Sequence, residues 1–121
     1  MAIYLTVYSR VNNIEKLNES LSELRGLLAA KYSNAFEIFD AIRMNANKKA
    51  VLRGNAEDFN FVYDDAETYF IIALNNKNYA GEIRKMLALI DQELKPKYGE
   101  LLYLHNGETP ILPAETLPTE N

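Results

Sequence analysis

His105 is the only histidine in this chain of 121 residues, which contains no cysteine. An imidazole works as a general base only with an orienting acid and a nucleophile or substrate within hydrogen-bond reach. No Ser-His-Asp, Walker-type or zinc-ligand spacing surrounds it. We therefore interpret His105 as an exposed residue beside a turn, and we predict no catalytic residue.

The acids Asp64, Asp65 and Glu67 are the best candidates for holding a hard cation, because Ca²⁺ and Mg²⁺ bind clustered carboxylate oxygens. An EF-hand loop alternates its ligands and closes with a distal glutamate, whereas Asp64 and Asp65 are adjacent. This spacing favours a solvated turn. We predict neither a metal site nor another cofactor.

Opposite charges are sorted into neighbouring segments of the chain. From Gly54 to Asn76 there are five acids and no base: Glu57, Asp58, Asp64, Asp65 and Glu67. From Arg43 to Arg53 there are four bases and no acid: Arg43, Lys48, Lys49 and Arg53. Such segregation can orient a partner through long-range fields, so it indicates a binding surface.

The composition is that of a single globular domain, with 48% hydrophobic and 25% charged residues. A formal net charge of −4 disfavours general attraction to nucleic acid or anionic membrane, which depends on excess Lys and Arg. No apolar run is long enough to span a membrane. The absence of cysteine fits a reducing compartment, so we expect a cytoplasmic protein.

Three segments have clear periodicity. Residues 3–8 alternate as a half-buried strand. An amphipathic helix capped by Asn12 or Asn13 follows, with Glu15 placed to complete a capping box on Asn12. A second amphipathic helix begins near Asn78, and Pro96 and Gly99 close it. The apolar residues of the two helices are Ile14, Leu17, Leu21, Leu24 and Leu28, and Tyr79, Ile83, Met86, Leu87, Ile90 and Leu94.

The middle of the chain is predicted as strands. Residues 36–42 and 50–54 form a hairpin with the bases around its tip, residues 59–63 alternate, and 68–74 form a central strand. One helix across 56–75 is the alternative. Leu101 to Leu104 and Thr109 to Leu112 form a last hairpin, because Asn106-Gly107 is the pair that best tolerates a type I′ turn.

This order of elements predicts an α+β fold, a ferredoxin-like sandwich in which two amphipathic helices cover one face of an antiparallel sheet. The domain would span residues 1–112, followed by a flexible tail over 113–121. The opposite sheet face would be free and would carry Tyr4 and Tyr8. Both interpretations of these tyrosines stay open: a contact surface if the face is free, or ordinary core if it is covered.

Phe59-Asn60-Phe61-Val62 resembles the third-strand signature of the RNA-recognition motif, and Ile3-Tyr4-Leu5 is similar to its first-strand partner. Ala66, Ala73, Leu74 and Asn75 are similar to that family's second helix. The resemblance implies aromatic side chains that stack on single-stranded RNA. Glu57-Asp58 stand where the family has a basic residue and glycine, and they would repel phosphate.

We interpret the chain as a protein-interaction module, an inhibitor, immunity-type or regulatory subunit that occludes its partner and could also self-associate. Aromatic anchors would supply affinity, and the acids would steer a partner with a basic surface. The predicted contact residues are Tyr4, Tyr8, Phe59, Phe61, Asp58, Asp64, Asp65 and Glu67. The alternative is single-stranded RNA binding, in which Arg43, Lys48, Lys49 and Arg53 contact phosphate. An enzyme or a small-ligand protein ranks third.

Overall fold

A computed structural model describes residues 3–115. The elements in chain order are strand β1 (Ile3–Ser9), helix α1 (Ile14–Tyr32), strands β2 (Phe36–Ile38) and β3 (Ile42–Arg43), helix α2 (Ala46–Phe59), strand β4 (Thr68–Leu74), a 3-10 helix (Lys77–Glu82), helix α3 (Ile83–Tyr98), and strands β5 (Leu102–His105) and β6 (Thr109–Pro110). All of them belong to one antiparallel sheet or pack on its faces.

The centre of the sheet is the pair β1 and β4, which are antiparallel over their full length from Ile3 opposite Leu74 to Ser9 opposite Thr68. The strand order is β2-β4-β1-β5-β6, and β3 pairs with β4 beyond the end of β2. The predictions of a first strand and of a central strand at 68–74 are confirmed. Their side chains alternate between two faces, so Leu5 and Val7 point one way and Tyr4 and Tyr8 the other.

Helices α1 and α3 cover the Leu5 and Val7 face, where their apolar residues form the main core. The side chain of Asn13 accepts the Lys16 backbone N–H at 3.0 Å, so Asn13 is the cap of α1. Pro96 lies inside the last turn of α3, and Gly99 caps that helix with a φ of 82°. The predicted α+β, ferredoxin-like fold with two amphipathic helices on one sheet face is confirmed.

The predicted hairpin over 36–54 is wrong. The first half forms only the short strands β2 and β3, and the second half is α2, which begins after Asn45 and runs through the predicted return strand. The side chain of Asn45 accepts the Lys48 N–H at 2.7 Å, a helix cap of the same kind as that of α1. The four bases are therefore not grouped around a hairpin tip.

Neither prediction for residues 56–75 describes the whole segment. Helix α2 ends at Phe59, and Asn60 follows in the left-handed conformation with its N–H donated to the Ala56 carbonyl. Residues 61–67 form no helix or strand, and β4 begins at Thr68. The alternation of residues 59–63 thus reflects a loop. We call residues 60–67 the connecting loop.

Side chains of α1 cover the outer edge formed by β2 and β3. Arg25 donates from Nε to the Ile38 carbonyl at 2.9 Å, and its guanidinium pairs with Asp40 at 2.7 Å. The side chain of Asn18 accepts the Ala41 N–H at 2.8 Å. These bonds satisfy backbone groups that an edge would otherwise offer to another sheet.

The final hairpin is confirmed as β5 and β6. Asn106 and Gly107 have φ values of 52° and 77°, as a type I′ turn requires. Beyond the hairpin, the chain follows α3: Arg84 donates from Nε to the Leu112 carbonyl, and Ala114 donates its N–H to the Arg84 carbonyl, both at 2.9 Å. Residues 116–121 of the predicted tail lie outside the described residues.

Candidate protein-binding surface

A cleft of about 610 Å³ lies between α2 and the connecting loop, on the sheet face opposite α1 and α3. Its lining residues are Lys49, Leu52, Arg53 and Ala56 from α2, and Phe61, Val62, Tyr63, Asp64, Asp65 and Ala66 from the connecting loop. The cleft brings together the basic and the acidic segments that the sequence separates.

The α2 wall follows from helical geometry. Lys49, Leu52, Arg53 and Ala56 are spaced by three and four residues, so they share one face of the helix. Leu52 is buried against the sheet and is the only buried residue of α2. Lys49 and Arg53 therefore lie at the rim of the cleft, and Leu52 anchors the helix on the sheet.

The connecting loop is fixed by contacts that Tyr63 and Asp64 make with Arg10 and Glu100, which lie outside the loop. The Arg10 guanidinium lies 4.0 Å from the centre of the Tyr63 ring, and its Nε donates to the Asp64 carbonyl at 2.9 Å. The Tyr63 hydroxyl donates to the Glu100 carbonyl at 2.7 Å. Burial raises the pKa of Tyr63 from 10.0 to about 12, against the opposing effect of Arg10 and with a further increase from Glu100.

The charged side chains on the two walls form no ion pair across the cleft. Within residues 3–115 the ion pairs are Arg25 with Asp40 and Lys95 with Glu100, and none of these four residues lines the cleft. Lys49 and Arg53 on α2, and Asp64 and Asp65 on the connecting loop, are exposed and take part in no ion pair within this range. Their charges are therefore available to a binding partner.

Lys48 is separated from the other bases. It belongs to α2, and its ammonium lies on the side of that helix that faces the sheet, 4.6 Å from the centre of the Tyr69 ring and 5.8 Å from that of Tyr8. Burial lowers the pKa of Lys48. Arg43 is also engaged, since its guanidinium donates to the backbone and side-chain oxygens of Asn12, each at 3.2 Å. Of the four predicted phosphate contacts, only Lys49 and Arg53 lie at the cleft.

The predicted free sheet face is half covered. Tyr8 is fully buried under α2, in a second core with Leu52, Ala66 and Leu104. Its hydroxyl has no hydrogen-bond partner among the described residues. Tyr4, at the other end of β1, stays 46% exposed. The expectation of a fully open face is therefore wrong, because residues 46–59 form a helix that packs on this face through Leu52.

The remaining predicted contact residues are divided between the cleft and its surroundings. Phe61 lines the cleft, half-buried, and Phe59 is 41% exposed at the end of α2. Neither lies on a strand, so the alternating aromatic platform of an RNA-recognition motif is not formed by these residues. Asp58 and Glu67 are exposed outside the cleft lining.

Sequence reasoning missed the roles of Leu52, Ala56, Val62 and Arg10. Leu52 and Ala56 are four residues apart, which is a helical spacing, but two apolar residues are too few to establish a period. Val62 is 84% exposed at the cleft, an exposure that no local pattern predicts. Arg10 gave no signal, because it reaches the connecting loop across the fold from a distant part of the chain.

Over residues 3–115, no three side chains of His, Asp or Glu converge in a way that could hold a metal ion. His105 is half-buried on β5, opposite Leu5 of β1. In the same range, every helix is too short or too polar to cross a bilayer.

No protein-family model matches this sequence, and no curated protein matches it significantly. Among solved structures, a chain of the CdiA-CT/CdiI toxin and immunity complex from Burkholderia pseudomallei is similar, with a TM-score of 0.71 and 19% sequence identity. The match covers 89% of this chain and 95% of that chain. At this identity the similarity shows a shared fold.

Proposed function

We propose that this protein is an immunity-type binding module, which binds a toxic partner protein and occludes the surface that the partner needs. The observation that carries the proposal is the cleft with unpaired charges on both walls, Lys49 and Arg53 facing Asp64 and Asp65. The shared fold with a chain from a toxin and immunity complex supports it over nearly the whole length.

Binding would begin with electrostatic steering and end with apolar contact. The exposed acids of the connecting loop attract a partner with a basic surface and accelerate encounter. Phe61 and the exposed Val62 then bury apolar area at the centre of the contact. Tyr4, Phe59, Asp58 and Glu67 would form its periphery. In this proposal the protein acts in the cytoplasm, consistent with its lack of cysteine.

Capture followed by rescue tests the proposal. The tagged protein is used to isolate its partner from the native host, and the identified partner is then expressed alone and together with this chain. We expect growth arrest with the partner alone and normal growth when both are expressed. A partner that is harmless alone, or toxic in both cases, would contradict the proposal.

A variant that is expressed but cannot bind shows whether rescue depends on binding at the cleft. Asp64→Lys combined with Asp65→Lys should abolish rescue, because the cleft with two reversed charges repels a basic partner. Glu19→Lys combined with Glu23→Lys, exposed on α1, is the matched control and should leave rescue intact. Salt-sensitive binding of the protein to a random single-stranded RNA pool would favour the RNA alternative instead.

A further inference from the structure

We propose that the cleft receives a partner segment of mixed charge, with a basic side chain against Asp64 and Asp65 and an acidic side chain against Lys49 and Arg53. This inference rests on the proposed function, and it specifies the chemistry of what the partner inserts. It differs from a contact in which only the acidic loop meets a uniformly basic surface.

The two walls of the cleft carry charges of opposite sign. A uniformly basic segment would satisfy Asp64 and Asp65, but it would bring like charge against Lys49 and Arg53, which form no ion pair within residues 3–115. Like charges in contact at an interface are strongly unfavourable. A uniformly acidic segment fails on the other wall for the same reason. Only a segment with both signs satisfies both walls.

The size of the cleft suits a peptide segment. Its volume of about 610 Å³ falls within the range of roughly 300–1,000 Å³ for pockets that bind drug-sized ligands, and a few side chains of a peptide are of that size. The helix spacing of Lys49 and Arg53 places both bases on the same wall, so one inserted acid can reach either of them.

The floor of the cleft strengthens its charges. Leu52 and Ala66 are buried there, and Phe61 is half-buried beside them. Low-dielectric walls focus the field of the rim charges into the opening. The two signs therefore orient an incoming dipolar segment in one direction, which gives the partner a single register.

Peptides matched in length test the inference without the partner. The probe is the blocked peptide Ala-Arg-Ala-Tyr-Ala-Glu-Ala, compared with versions in which Arg, Glu or both are replaced by Gln. Backbone amide shifts of the ¹⁵N-labelled protein are followed up to about 10 mM peptide, where contacts of a few kcal/mol become visible. We expect shifts over 49–56 and 61–66, and binding of the mixed-charge peptide about two- to fivefold tighter than either single-charge peptide.

Variants assign each charge to its wall. With Lys49→Gln and Arg53→Gln, the mixed-charge peptide should bind no more tightly than the Arg-only peptide binds the same variant. With Asp64→Asn and Asp65→Asn, the mixed-charge peptide should bind no more tightly than the Glu-only peptide binds that variant. The control variant carries Lys31→Gln and Lys85→Gln, exposed on the helix layer, and should behave as the unchanged protein.

The outcomes separate this inference from the proposed function. Equal affinity for mixed- and single-charge peptides, an advantage that survives loss of Lys49 and Arg53, or no shifts at the cleft would each overturn the inference. The growth-rescue result would stand in all these cases. Conversely, if rescue fails but the mixed-charge peptide still binds selectively, the proposed immunity function would be wrong. The mixed-charge preference of the cleft would stand.

Discussion

The buried tyrosines Tyr8 and Tyr103 differ in what their hydroxyl groups contact. The Tyr103 hydroxyl donates to the Asp91 carboxylate at 2.9 Å, whereas the Tyr8 hydroxyl has no partner among the described residues. A buried hydroxyl without a hydrogen bond keeps its desolvation cost, and one bonded to a carboxylate is stabilising. The same chemical change at the two positions should therefore have opposite effects.

We predict that Tyr8→Phe raises the free energy of unfolding by about 1 kcal/mol and that Tyr103→Phe lowers it by about 1–3 kcal/mol. Both variants keep the ring, so packing is conserved. Urea denaturation at neutral pH measures both values. Destabilisation by Tyr8→Phe equal to that by Tyr103→Phe would mean that the Tyr8 hydroxyl is bonded in solution.

The pH dependence of stability is a second consequence of the buried tyrosines. Burial raises the pKa of Tyr8 and of Tyr63 from 10.0 to about 12. Between these values the unfolded chain loses the proton while the folded protein keeps it, so stability is fully present below about pH 10 and falls as pH rises towards 12. Urea midpoints at pH 9 and about pH 11 should show the loss, and Tyr8→Phe should reduce it. A midpoint that does not change over this range would contradict the prediction.

At the scale of elements, the two long helices depend on leucines that are fully buried. Leu21 of α1 and Leu87 of α3 are both 0% exposed. Truncation of either to alanine should lower the free energy of unfolding by about 2–5 kcal/mol, because it leaves a cavity in the main core. Leu27→Ala is the control, since Leu27 is 42% exposed and should change stability by about 0.5 kcal/mol or less. Unchanged denaturant midpoints for both core variants would be inconsistent with these helix faces.

Helix α2 should be the least protected helix. Leu52 is its only buried residue, and the amide of Asn55, which donates to the Gly107 carbonyl at 2.9 Å, adds one further tie to the sheet. Few buried contacts mean a low free energy of local opening. Amide hydrogens of α2 should exchange faster than those of α1 and α3. Leu52→Ala should accelerate amide hydrogen exchange in α2 and leave the exchange rates of α1 and α3 unchanged. Equal protection of the three helices, measured by NMR, would refute this prediction.

The contrast between these helices explains which elements the sequence could predict. In α1 and α3 a full apolar stripe packs on the sheet, and such a stripe is visible as a period. Helix α2 buries only Leu52, so its sequence has almost no period; Asn45 was interpreted as a turn residue and residues 50–54 as a return strand. The cap at Asn45 was the available signal, but asparagine is common in turns as well as caps.

At the scale of the whole molecule, the sequence predicted a sorted charge distribution but not its geometry. The bases and acids were assigned to two competing surfaces, one for RNA and one for protein. Lys49 and Arg53 face Asp64 and Asp65 across one cleft because α2 turns the basic segment back over the sheet. That placement depends on the long-range packing of α2 on the sheet, and the order of charges along the chain does not reveal this packing.

The rates at which the captured partner binds and dissociates test whether the cleft is the contact site, because acids lie both inside and outside the cleft. Neutralising Asp64 and Asp65 to Asn should lower the association rate about tenfold at low salt and also accelerate dissociation. Neutralising Asp58 and Glu67, which removes the same charge outside the cleft lining, should slow association and leave dissociation nearly unchanged. Surface plasmon resonance at several salt concentrations distinguishes the pairs. Equal dissociation rates for both variants would place the contact elsewhere.

The sheet separates two cores that share no side chain: the large one under α1 and α3, and the small one that holds α2 and the connecting loop. Substitutions on the cleft side can therefore accumulate without disturbing the residues that make the domain fold. This separation makes the scaffold evolvable, since new partner specificities can arise by exchanging residues 46–67 together with Arg10, which holds the connecting loop. Transplanting these residues between proteins of this fold should transfer recognition together with them, while the helix layer continues to supply most of the stability.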